Sequence, residues 1–345
     1  MGIHMKRIKE TDYGYASARL RALENRLIGR ERMQVLCEVG SREELMTRLS
    51  EYGVVIPPER EGEEAALLAV LRQAYDEVAA CVPDRSVFDW MRYPYDCNNL
   101  KMALKCHIRH IPADETRGML FDFGTIPAER VPALIECETL PEDLPLPPHM
   151  AAALADAREA YAKTGDPREI DLRLDTACYR DMSRAVEETR EPILIGWVKA
   201  KIDLTNLITT LRVGRLSLGE TAEGFLAEAL LPGGSVRAEV FCESLVEGEE
   251  HLLRSLGRSG DPLLDRVTTR IGKTDMSLSA IEKCCDDAFL EQVRRDARAP
   301  FGAAVAGGYL YGWETAVRNI RILLAARDAG LSPAATRERV RESYV

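Results

Sequence analysis

Along most of the chain, apolar residues recur three and four positions apart, the spacing of one face of a helix. Over residues 12–36, Ala16, Leu20, Leu23, Leu27 and Ile28 keep that spacing and predict helix. Ser41-Arg42-Glu43-Glu44 has the form of a capping box and predicts a short helix running to Leu49. Pro57-Pro58 break the chain before Leu67, Leu68, Val70, Leu71 and Tyr75 predict helix over 61–81. Residues 88–111 read as helix kinked at Pro94. Further helices are predicted at 149–163, 167–186, 192–213, 277–297, 300–328 and 333–343, with a turn at Leu230–Ser235. Prolines at 112, 127, 132, 141, 145, 147 and 148 mark a run of short helices and turns. Short β-branched runs joined by Asn-Gly or Asp-Gly turns are almost absent, so the predicted class is all-α.

Length and charge narrow the picture. A chain of 345 residues suggests two or three units with cores of their own. It carries 46 Lys and Arg against 56 Asp and Glu, a net −10, whereas a nucleic-acid binder needs a basic face. No apolar run is long enough to span a bilayer, and residues 1–5 lack the apolar core of a signal peptide. The nine cysteines are scattered and contain no C-x-x-C pair, which argues against a disulfide framework or zinc site. These features predict a soluble protein of the cytoplasm.

The chain also repeats itself. Residues 96–105, D-C-N-N-L-K-M-A-L-K, match residues 203–212, D-L-T-N-L-I-T-T-L-R, at Asp96/Asp203, Asn99/Asn206, Leu100/Leu207, Leu104/Leu211 and Lys105/Arg212. Residues 319–324, N-I-R-I-L-L, continue the series with Asn319, Ile320, Arg321 and Leu324, the acid being displaced to Glu314. A period near one third of the chain predicts three related helical bundles, over residues 1–112, 113–219 and 220–345. On each repeated helix the aliphatic pair at i,i+4 forms the packed stripe, leaving the asparagine and cation on an adjacent polar face. Segments 92–110 and 197–215 each hold four Lys or Arg against one Asp, and 313–327 holds three Arg against one Glu. Three basic helices about a pseudo-threefold axis would line a polar central cavity, to which Asn99, Lys101, Lys105, Asn206, Arg212, Asn319 and Arg321 would be accessible.

Catalytic apparatus is hard to find. No phosphate loop G-x-x-x-x-G-K-[ST], no G-x-G-x-x-G after a strand and no H-E-x-x-H occurs. Cys106, His107 and His110 lack the four convergent ligands of a tetrahedral metal site. Asp286-Asp287 has no second acidic pair at matching spacing and reads as a solvated helix face. Neither a cofactor, a metal nor a small-molecule substrate is predicted.

Several short motifs, in order over about 330 residues, carry a resemblance. They are Y-x-Y-x-x-A-R-x-R-A-L-E (Tyr13 to Glu24), Y-D-x-x-N-L-K (Tyr95 to Lys101), L-D-x-x-x-Y (Leu174 to Tyr179) and D-x-x-N-L-I-x-x-L-R (Asp203 to Arg212). L-L-P-G-G at 230–234, N-I-R at 319–321, R-E-R at 337–339 and Tyr344-Val345 complete the set. The chain resembles the C subunit of the V-type (A/V-type) ATPases, the counterpart of the d subunit of the eukaryotic vacuolar ATPase. Ile208 stands where the first repeat has Lys101, so the three polar faces are not identical.

The resemblance implies a non-catalytic rotor part shaped as a funnel of three helical bundles. One side would sit on the membrane proteolipid c-ring, at the cytoplasmic face, and the cavity would hold the central shaft made of the D and F subunits. It would pass rotation between ATP chemistry and proton or sodium transport. A joint under torque needs a buried area of the order of 2,000 Å². The alternative is a generic α-helical repeat scaffold that binds soluble protein partners. A helical enzyme with an unrecognised site would instead require a deep pocket with perturbed titratable groups.

Overall fold

The computed structural model describes residues 8–137, 146–216 and 219–345. Pro141 and Pro145 of the proline run, and residues 1–5, lie outside the described residues. Among those described, the chain forms helices and turns with no strand, in agreement with the all-α expectation. The α-helices are α1 (Gly14–Leu23), α2 (Arg30–Glu38), α3 (Arg42–Glu51), α4 (Glu63–Ala79), α5 (Tyr93–Ile108) and α6 (Ala113–Gly118). There follow α7 (Val131–Glu136), α8 (Pro148–Thr164), α9 (Arg168–Thr189), α10 (Pro192–Gly214), α11 (Ala222–Ala229) and α12 (Ala238–Glu247). The last are α13 (Glu249–Gly257), α14 (Pro262–Ile271), α15 (Leu278–Asp296), α16 (Ala303–Asp328) and α17 (Pro333–Arg339).

Helix starts follow the capping chemistry of the sequence. Ser41 accepts the Glu44 amide at 3.1 Å, and Ser277, Ser332 and Asp261 cap α15, α17 and α14 in the same way. Pro94 does not kink a long helix. It sits in the first turn of α5, where its missing N–H costs nothing, and residues 85–91 form a separate 3-10 segment. The predicted helix over 12–36 is broken as well. Leu27 turns to ψ 148°, and Gly29 leaves its α-carbon open to Val345, whose carbonyl accepts the Arg30 amide at 2.9 Å. A Cβ on Gly29 would lie 3.1 Å from that oxygen, so a larger residue there fits only if the Val345 end gives way by a few tenths of an ångström.

The chain folds into two compact units. The first joins residues up to Arg85 with those from Leu253 onward. Its centre is α16, against which α1, α3, α4, α15 and α17 pack. Small residues make this approach possible: Ala303, Ala304, Ala306, Gly307, Gly308 and Gly312 are all buried. Gly308 and Gly312 form a groove for the Tyr344 ring, and a Cβ on Gly312 would lie 3.1 Å from Tyr344 Cδ1 and 2.9 Å from Leu27 Cδ1.

The second unit runs from Ser86 to Leu252. Here α9 is the central element, contacted by α5, α8, α10 and α11. Its buried stripe is Ile170, Leu174, Ala177, Cys178, Asp181, Met182 and Val186, spaced by three and four. Asp181 is almost wholly buried because it caps a neighbour: its carboxylate accepts the His149 amide at 3.0 Å and the Met150 amide at 2.8 Å at the start of α8. An anion there also meets the positive end of the α8 dipole.

A recurring clamp at the repeated helices

The repeat motif becomes a joint between a helix and the segment that returns to it. On α5, Asn99 donates from Nδ2 to the Phe121 carbonyl at 2.8 Å and accepts the Phe121 amide at Oδ1 at 2.8 Å. On α10, Asn206 makes the same pair with Leu231, at 2.9 and 2.8 Å. On α16, Asn319 makes it with Arg341, at 3.0 and 2.9 Å. The bridged residues lie 22, 25 and 22 positions downstream. An amide is the side chain for this task, because it offers a donor and an acceptor that match the C=O and N–H of one residue.

The acid of the motif holds the next turn of the same segment. Asp96 accepts the Thr125 amide at 3.0 Å, the Thr125 hydroxyl at 2.6 Å and the Ile126 amide at 3.0 Å. Asp203 accepts the Ser235 and Val236 amides at 2.9 and 3.1 Å. The residue before each pair is a glycine, Gly124 and Gly234, and a Cβ on either would overlap an oxygen of the aspartate. Phe121, Gly124, Thr125 and Ile126 thus correspond to Leu231, Gly234, Ser235 and Val236, a second half of the repeat that composition and periodicity do not reveal. Burial pushes the Asp96 carboxyl above the usual aspartate range, against the pull of Thr125, Ile126 and the Arg92 charge.

In the third copy the acid comes from elsewhere. Glu314 takes a hydrogen bond from the Tyr75 hydroxyl at 3.3 Å. The clamp acid is Asp287 of α15, which accepts the Glu342 amide at 2.7 Å and pairs with Lys283 at 2.7 Å. Lys283 also donates to the Val340 carbonyl at 2.6 Å. Its neighbour Asp286 pairs with Arg318 and Arg341, each at 2.8 Å. The acidic pair that reads as a solvated face is therefore tied to its own chain, and Asp287 is buried. The same contacts explain why the last helix stops at Arg339 rather than 343: residues 340–345 leave the helix to meet Asn319, Asp287 and Arg30.

These positions settle what each sequence-predicted residue touches. Asn99, Asn206 and Asn319 are buried, at 0, 3 and 0% exposure, with both ends of each amide engaged by backbone. They offer neither end to a cavity, because an unsatisfied return segment would cost more than a solvated asparagine gains. The cations stand further out. Lys101 and Lys105 of α5 pair with Asp175 and Asp171 of α9 at 2.6 and 2.5 Å, so two residues one turn apart meet two one turn apart. Burial opposes the Lys101 charge, yet Asp175, Cys97 and Asp171 outweigh it and hold the ammonium above its usual range. Arg321 grips Glu64 of α4 with two nitrogens, at 3.0 and 2.5 Å. Arg212, in the last turn of α10, is exposed. The local positive charge of α5 and α16 is thus offset by carboxylates on neighbouring helices. That offset comes from residues 66 to 257 positions away and is invisible in a charge count along the repeated helices.

Among the described residues no cluster of His, Cys, Asp and Glu could hold a metal ion, and no helix is long and apolar enough to cross a membrane. Residues 16–339 match the family described as ATP synthase (C/AC39) subunit. The chain is 27% identical to the A-type ATP synthase C subunit of Thermococcus kodakarensis, over 97% of this chain and 92% of that protein. The corresponding A-type ATP synthase proteins of Methanocaldococcus jannaschii and Methanothermobacter thermautotrophicus are 26% and 24% identical, over 93% and 94% of this chain and 84% and 87% of theirs.

Proposed function

The chain belongs to the ATP synthase (C/AC39) subunit family, and on that basis we propose that it is the rotor socket of a rotary ATPase. The family is an accessory, non-catalytic part of the ATP synthase complex. In this reading the chain joins the membrane proteolipid ring to a central shaft of the D and F subunits and passes rotation between them. It rests peripherally on the cytoplasmic face, held through the complex, and its three bundles form a funnel with the shaft in a central cavity.

The observation that carries the reading is the recurrence of one clamp on three long helices. A part that transmits torque must resist shear at every joint it presents to its partners. A bidentate amide, backed by an acid one turn away in the first two copies and by Asp287 of α15 in the third, fixes both the register and the angle of a return segment against its helix. Three copies suit a ring-like load better than a single-sided contact. Lys101, Lys105, Arg212 and Arg321 are the partner-facing cations, with Asn99, Asn206 and Asn319 fixing the backbone beneath them. Lys101, Lys105 and Arg321 are already held by a carboxylate of their own unit; at the part-exposed Lys105 and Arg321 a partner's carboxylate could replace it at modest cost, since such ion pairs are each worth about 0–1 kcal/mol.

The test uses membranes that carry the proteolipid ring and have been stripped of the soluble sector. The purified chain should co-sediment with them and should be required for the D–F shaft to co-sediment. Lys101→Glu with Lys105→Glu should weaken that retention and flatten its salt dependence. Binding to soluble proteins with no association to the ring would instead favour the scaffold reading.

A further inference from the structure

We infer that α12, with the start of α11, is a docking groove for a basic amphipathic helix of a protein partner. The groove has a volume of about 570 Å³ and lies within the second unit. Its wall is one face of α12: Glu239, Cys242, Glu243, Val246 and Glu247 fall at i, i+3, i+4, i+7 and i+8. Ala222 and Glu223 of α11 form the facing edge. The opposite side of α12 is the packed one, carrying buried Phe241 and Ser244, and α12 contacts α10 and α11 there. The groove face is therefore surplus to the fold.

Its chemistry points to one kind of occupant. Val246 is 86% exposed, the most exposed large apolar side chain among the described residues, and it stands between glutamates. Glu239, Glu243 and Glu247 form a ladder at i,i+4, a like-charge arrangement that destabilises a helix by about 0.2–0.5 kcal/mol per pair. Just beyond the groove, by contrast, Glu249 meets Arg215 at 2.6 Å. None of Glu223, Glu239, Glu243 and Glu247 has an ion-pair partner among the described residues. Glu223, Glu239 and the partly covered Cys242 line the same groove, and burial, then the two carboxylates, push the thiol upward.

An anionic lipid surface or a nucleic acid would be repelled by four uncompensated carboxylates. A second copy of the same face would be repelled too. A helix presenting Lys or Arg at i,i+4 around one aliphatic residue matches both the ladder and the apolar floor, the helix-in-groove mode of recognition. This inference is independent of the rotor reading, because it uses only the surface of the second unit.

The probe is a fluorescent 18-residue helical peptide with Lys at i,i+4 beside a Leu stripe. Its control is a peptide of the same composition shuffled so that Lys and Leu share no face. The full chain should bind the patterned peptide about tenfold tighter than the shuffled one. Glu239→Gln, Glu243→Gln and Glu247→Gln combined should erase that preference, and so should Val246→Asp alone. All four side chains are exposed, and unchanged circular dichroism and thermal midpoint would show the variants folded. The same three substitutions at exposed Glu43, Glu44 and Glu129 should leave the preference intact. Equal affinity for the two peptides, or a preference that survives the groove substitutions, would overturn the inference. So would tighter binding to vesicles of anionic lipid than to the patterned peptide.

Discussion

Replacing Asn206 by alanine isolates the clamp, because the residue makes two bonds to the backbone of a single residue, Leu231, and is 3% exposed. Truncation removes two hydrogen bonds, each worth about 1 kcal/mol net, and leaves the amide and carbonyl of Leu231 without their partner. A stranded buried polar group costs about 1–3 kcal/mol, though water entering the vacated space recovers part of that. The sum is about 3 kcal/mol on the attachment of the return segment, rather than on the whole fold. At about 1.4 kcal/mol per factor of ten, the segment should open about a hundredfold more often. Native-state hydrogen exchange reads this directly, since the Leu231 amide is the donor to Asn206 Oδ1. Its exchange should accelerate about a hundredfold, while Thr209→Ala, half-exposed on the same helix, should leave it unchanged. Asn99→Ala and Asn319→Ala should do the same to the Phe121 and Arg341 amides. An acceleration below about threefold at Leu231 would refute the idea that the asparagine holds the segment.

Gly124→Ala and Gly234→Ala should each destabilise the protein by more than about 2 kcal/mol in urea unfolding, because the new methyl would collide with Asp96 or Asp203. Gly196→Ala, in open space within α10, should stabilise by about 0.5–1 kcal/mol. Asp96 binds its proton more tightly folded than unfolded, so folding is favoured below the unfolded pKa of about 4 and loses that contribution as pH rises through the raised folded value. Stability of the native chain measured across this range should fall relative to Asp96→Asn with rising pH, and parallel curves would contradict the burial argument. Removing residues 340–345 should speed exchange at the Arg30 amide, which loses the Val345 carbonyl, and expose Asn319 and Tyr344's groove on α16. Protection at Arg30 that survives the deletion would show that the segment is not what holds that helix start.

Helix positions were legible because amphipathic spacing is local. Ser41, Pro192 and Ser277 mark starts to within a residue or two, and the structure keeps them there. Failures arose where a distant segment decided the outcome. The break at 27–29 depends on Val345, and the end of α17 depends on Asn319 and Asp287. The repeat was visible as D-x-x-N on helices, but its purpose was not, since each partner lies 22 to 33 residues away in a turn. Gly124 and Gly234 were the available signal: a glycine at the same distance after each motif's partner residue marks a turn pressed against something. The third acid could not be read at all, because Asp287 reaches the site from a different helix. Likewise, an excess of Lys and Arg along α5 and α16 predicted a cationic face, whereas Asp171, Asp175 and Glu64 answer that charge across helix interfaces.

The rotor reading stands or falls on whether this chain couples the shaft to the proteolipid ring. ATP-driven ion uptake by vesicles holding the reassembled complex, with and without this chain, measures that coupling when the ATPase rate is followed alongside. With the chain present, hydrolysis and uptake should rise together. Without it, hydrolysis should continue while uptake falls to the level of an uncoupled control. Full uptake in its absence would contradict a role in coupling.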